Sequence, residues 1–161
     1  MAETLVGSFT FSSGNVAANK FDSSGRRLAE YVEHEHKLQY STATDATTVA
    51  AVTKTLGAIH YTGEVVEVSV WPVTAPTGGD LAYTVDIKKS TGAGAFATIL
   101  TGVVTVNSSS TSRTVQFATL SGTPALVRGD ALQVVIATSG STGTQGAGVD
   151  VTIRIRENPA A

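Results

Sequence analysis

In Val149-Asp150-Val151-Thr152-Ile153-Arg154-Ile155-Arg156 every second residue is a branched hydrocarbon and every intervening one is polar or charged. A strand turns successive side chains to opposite faces, so a period of two gives one dry face and one wet face. A helix would scatter the same residues around its axis. The pattern recurs in Leu81, Tyr83, Val85 and Ile87 against Thr84, Asp86 and Lys88, and in Leu132, Val134 and Ile136 against Gln133. Between Glu64 and Val73, Val66, Val68 and Val70 form an apolar set with Val65, Glu67, Ser69 and Trp71 opposite. Shorter strands are expected over Val49 to Leu56, Phe96 to Leu100, Val103 to Val106 and Arg113 to Leu120. The chain holds 20 Val, 6 Ile and 24 Thr, against 22 residues of Leu, Met, Glu and Lys together, which favours pleated strands over helices throughout.

Turn chemistry separates these runs: Ala75-Pro76-Thr77-Gly78-Gly79-Asp80, Ser90-Thr91-Gly92-Ala93-Gly94, Asn107-Ser108-Ser109-Ser110-Thr111-Ser112, and the glycine-rich stretch from Ser139 to Gly148. Seven or eight short, half-buried strands with such connections imply an all-β fold in which antiparallel sheets pack face to face. No Cys is present, so the Cys…Trp…Cys pattern of immunoglobulin domains is absent and a jelly-roll-like β-sandwich is expected.

The first 45 residues break the pattern at Gly14-Asn15 and Ser23-Ser24-Gly25. We read 1–45 as an extended N-terminal arm for assembly or anchoring, and 46–161 as the sandwich domain. From Arg26 to Lys37 a short helix capped by Ser24 and a strand fit equally well. An arm this poor in apolar residues must lie on its own domain, on another copy or on a partner.

A net charge of -2 with 15% charged residues leaves no electrostatic footprint for nucleic acid. No apolar run approaches the roughly 18 residues that span a bilayer, and 42% hydrophobic residues exclude a disordered chain. Met1 to Thr10 does not read as a signal peptide. Histidines are confined to His34, His36 and His60, and with no thiol the chain offers no nucleophile–base constellation. Glu64 and Glu67 are expected on opposite faces of their strand, which excludes a carboxylate pair. We therefore expect no enzyme, with no catalytic, cofactor-binding or metal-binding residues and no cofactor. His34-Glu35-His36 would turn two imidazoles the same way in a strand, but two ligands do not make a metal site. Arg128-Gly129-Asp130 reads as a turn before a strand, and Asn107-Ser108-Ser109 as a formal glycosylation sequon. Asp80, Asp130 and Asp150 lack the spacing of a calcium loop and read as turn residues.

Several segments together resemble β-sandwich proteins of tailed-bacteriophage virions, of the head decoration and head-fibre type. They are Tyr61-Thr62-Gly63-Glu64-Val65-Val66, the turn Ala75 to Asp80, Tyr83-Thr84-Val85-Asp86-Ile87-Lys88-Lys89 with Ile99-Leu100, Arg128-Gly129-Asp130-Ala131-Leu132, and Gly148-Val149-Asp150-Val151-Thr152-Ile153. The resemblance covers Ile59 to Glu157. It implies a non-enzymatic capsid decoration (cement) protein on the outer surface of a phage head, a homotrimer whose partner is the major capsid protein, with no nucleic-acid or membrane partner. The alternative is a receptor- or carbohydrate-binding domain of a tail fibre, where exposed aromatics would stack on sugars; Trp71, Tyr83, Phe96 and Phe117 read instead as core or interface residues. His34 and His36 also resemble the His-x-His of trimeric phage fibres, whose three chains hold an axial iron.

Overall fold

The computed structural model describes residues 35–42, 47–92 and 94–157. Ten strands follow in chain order: β1 (Glu35–Ser41), β2 (Val52–Ala58), β3 (Gly63–Thr74), β4 (Ala82–Ser90), β5 (Ala97–Thr98), β6 (Val104–Val106), β7 (Gln116–Phe117), β8 (Ala125–Leu126), β9 (Ala131–Ser139) and β10 (Ala147–Glu157). The four segments with the clearest alternation are the four longest strands, β3, β4, β9 and β10. Sheet I runs β1-β10-β3-β7, with β8 also on β3; sheet II runs β2-β9-β4-β5, with β6 also on β4. Every pairing is antiparallel. The sandwich expected from the period of two is the fold observed.

The inward faces make one core. Sheet I supplies Val65, Val68, Val70, Val149, Val151, Ile153 and Ile155; sheet II supplies Tyr83, Val85, Ile87, Leu132, Val134 and Ile136. Each buried Val or Ile contributes roughly 1.5–3 kcal/mol by leaving water. Tyr83 is fully buried, and burial pushes its hydroxyl up to about 12.

Val66 departs from expectation. On β10 the alternation is unbroken, but Arg154 faces Glu67 and Ile155 faces Val65, so Val66 is the extra residue of a β-bulge. The bulge reverses the parity of β3, and Val65 enters the core in place of Val66, which stays half-buried. A second irregularity falls between Thr55 and Gly57 on β2, where Leu56 is the unpaired residue.

Part of the segment read as an arm lies on its own sandwich, one of the places expected for it. Glu35–Ser41, assigned to it, is the outer strand of sheet I and pairs with β10 along all seven residues, from Glu35↔Arg156 to Ser41↔Asp150. Leu38 and Tyr40 pack against the core, which is why this polar-looking segment joins the sheet. The rest of the arm, 1–34, lies outside the described residues, as does most of the segment left open between helix and strand.

One end of the sandwich is closed by two glycine-rich loops that bond to each other. Thr77 and Thr144 form a bridge, and the Asp80 N–H donates to the Thr142 carbonyl at 3.1 Å. Gly143 has φ +107°, and a Cβ there would fall inside the Gly78 carbonyl oxygen. Gly143→Ala is therefore expected to cost about 1–3 kcal/mol through strained backbone alone. Urea unfolding of the variant checks this; an unchanged midpoint would show that the loops part without cost.

Candidate functional site

Polar features singled out in the sequence are bound within the fold. Glu64 and Glu67 lie on the same outer face of sheet I, contrary to expectation, because the bulge at Val66 shifts one of them. Arg156 donates to Glu64 from Nε at 2.8 Å and from Nη2, and Arg154 donates to Glu67 at 3.2 Å. Each carboxylate is matched by a guanidinium on the neighbouring strand, a cross-strand pairing rather than an acid–base pair. His36 Nε2 meets Glu157 Oε2 at 3.0 Å, and its ring stacks on Tyr61 with centroids 4.1 Å apart. Burial, and then the charge of Glu157, raise the Tyr61 hydroxyl above its ordinary value. His34 lies outside the described residues, and His60 is exposed. Among the described residues no group of three or more His, Asp or Glu is placed to hold a metal.

The three aspartates do different work. Asp80 Oδ1 accepts from the Ser141 N–H at 2.9 Å and from the Thr142 N–H and hydroxyl at 2.7 Å each. These donors hold its carboxyl down at about 2, the Ser141 N–H first. A depressed carboxyl stabilises the fold above its unfolded value of 3.8 and loses that contribution as pH falls through about 2. Between pH 4 and 2, Asp80→Asn should therefore lose less stability than the parent chain, as read from urea midpoints at both pH values; parallel losses would refute the link. Asp150 accepts from the Gln39 amide across β1 and β10. Asp130 is completely buried: Oδ2 accepts from the Val127 N–H at 3.0 Å and lies 3.4 Å from Lys89 Nζ. The turn reading of Arg128-Gly129-Asp130 holds, since Gly129 sits at φ +96°, and the carboxylate faces inward. Asn107 likewise closes its own turn, accepting from the Ser109 N–H at 2.9 Å.

The sandwich instead presents an apolar surface on the β7 edge. Val68 and Val70 point inward, so Ser69 and Trp71 face out, and Phe117 lies opposite Ser69. Phe117 is 66% exposed, Val103 46%, Val115 44% and Trp71 37%, so neither Trp71 nor Phe117 belongs to the core. Phe96 is half-buried and Tyr83 is core. Between 101–105, which leads into β6, and 116–119 around β7 runs a groove of about 310 Å³. Its lining is mostly polar, from Thr101, Thr105, Gln116, Thr119 and main chain, with Val103, Val104, Phe117 and Ala118 supplying the smaller apolar part and no charged side chain. A ladder that includes the Leu100↔Leu120 bridge joins the two sheets beside it. Sequence reading missed this surface because β7 is two residues long and its alternation too short to assign faces.

No family model and no curated protein matches the chain. Among solved structures, a chain of the capsid of Ralstonia phage GP4 superposes with a TM-score of 0.55 at 18% identity, covering 79% of this chain and 86% of that one. The two chains share a fold.

Proposed function

We propose that this chain is a non-enzymatic structural protein of a phage particle, a decoration (cement) protein that sits on the outer surface of the head as a homotrimer and binds the major capsid protein. The observation that carries the reading is the fold shared with a phage capsid chain over most of both lengths. The strand orders β1-β10-β3-β7 and β2-β9-β4-β5 support a jelly-roll winding, since β1 to β4 alternate between the sheets and β9 and β10 return between their first members. An uncharged apolar edge and carboxylates taken up by arginines fit a contact protein. Residues 1–34 would act as the assembly segment ahead of the sandwich.

The test is co-sedimentation of purified protein with undecorated capsids. Full-length protein is expected to pellet with them, and a 1–34 deletion to bind less while its sandwich stays folded. A folded full-length protein that never associates with particles would sink the reading.

The exposed pair Trp71 and Phe117 favours a second reading, sugar binding on a tail fibre. Sugar sites combine an aromatic platform with polar groups that fix the hydroxyls, and the groove beside Phe117 carries only Thr and Gln side chains for that purpose. A glycan array separates the two: specific binding lost in Trp71→Ala would replace the decoration role.

A further inference from the structure

The apolar surface at the β7 edge calls for a cover, and the chain carries a segment of matching chemistry. In Thr4-Leu5-Val6-Gly7-Ser8-Phe9-Thr10-Phe11 the period of two puts Leu5, Phe9 and Phe11 on one side, and no charged residue occurs between Thr4 and Asn19. An uncharged strand-forming segment can enter an uncharged groove without desolvating an ion on either side. β7 is the last strand of sheet I, and an extended peptide adds readily to such an edge, its main chain on the ladder and alternate side chains in the groove.

Residues 1–34 join the fold on the side of sheet I away from the groove. They enter at β1, the first strand of sheet I, while the groove lies beside β7, the last. Donor and acceptor therefore occupy opposite edges of one sheet. A contact between copies made this way is head-to-tail, the kind that closes into a ring. The 23 residues from 12 to 34 reach at most about 80 Å when extended. A domain of this size is about 35 Å across, so the segment can reach a neighbour's groove as well as its own, and the cross-link described below tells the two apart.

We propose that Thr4 to Phe11 of one copy docks as an added strand along β7 of the neighbouring copy, with Phe9 and Phe11 covering the groove bounded by Val103 and Phe117. This rests on the trimeric assembly proposed above and names its contact.

The chain has no Cys, so introduced thiols report cleanly. Phe9→Cys and Val103→Cys proteins, unfolded, mixed, refolded together and oxidised, are expected to give a covalent heterodimer. The double variant should give covalent species up to three chains. Trp71, the only tryptophan, should shift to longer emission wavelength and be quenched more strongly by acrylamide when residues 1–12 are deleted, and light scattering should then fall from trimer to monomer. A cross-link formed only within one chain would place the segment in its own groove and overturn the exchange. So would a deletion that leaves Trp71 emission and the oligomer unchanged. Interchain cross-linking by a protein that ignores capsids would support this contact while removing the virion reading.

Discussion

Removing residues 1–44 is expected to give a protein that aggregates or melts far below the parent, while removing only 1–34 leaves a cooperative sandwich. The difference is β1. Its seven residues pair with residues 150–156 of the 11-residue β10, and Leu38 and Tyr40 cover core otherwise open to water. Losing these two half-buried side chains alone costs about 2–4 kcal/mol. That is a large part of the 5–15 kcal/mol by which domains of this size are typically stable. The deletion also bares the edge of an 11-residue strand whose buried positions include Val151, Ile153 and Ile155, a ready template for pairing with other chains. Thermal melting and size exclusion of the two deletions check this directly. Equal melting temperatures would mean that β1 adds nothing to the sheet and that the sandwich begins after residue 44.

How far the sequence reveals this molecule depends on whether a signal is local. Strands β4, β9 and β10 are legible because a period of two, strict over eight residues in β10 and shorter in β4 and β9, has no helical equivalent, and their inward residues are those the alternation names. In β3 the pattern offers Val65, Val66, Val68 and Val70 and does not say where parity breaks. Only the register against β10 shows that Val66 is the extra residue. That single bulge also decides that Glu64 and Glu67 share a face. β1 reads as strand or helix in isolation because its apolar contribution, Leu38 and Tyr40, becomes meaningful only against the completed core. β8 gives no periodic signal in two residues, yet Leu126 is fully buried. For a related reason Trp71 and Phe117 stay open between core and interface in the sequence: large aromatics are usually buried, and the exposure of these two depends on which face of the β3–β7 edge they occupy.

Asp130→Ala should be among the most damaging single substitutions of the polar residues, at roughly 1–3 kcal/mol, because it strands a buried backbone N–H and takes the carboxylate from an ammonium that is only partly buried. The carboxylate links three elements. It accepts the Val127 N–H at 3.0 Å, lies 3.4 Å from the ammonium of Lys89 on β4, and that ammonium also donates to the Ala125 carbonyl on β8 at 2.8 Å. Truncation leaves a partly buried cation with one carbonyl and a backbone N–H with no acceptor. Asp130→Asn should cost less, since its amide oxygen still accepts from Val127, and the remaining cost is the lost charge together with an amide NH2 in the buried place of Oδ1, which has no hydrogen-bond partner. Lys89→Met should also destabilise, by stranding the buried carboxylate. In the double variant Asp130→Ala with Lys89→Met the losses should fall short of their sum, because the second change removes a charge that the first had already orphaned. Urea unfolding of the four proteins closes the cycle. A turn residue with no interior role would give a loss of under about 0.5 kcal/mol and additive effects, and that result would mean that the carboxylate is exposed in solution and the Arg128-Gly129-Asp130 turn presents it outward.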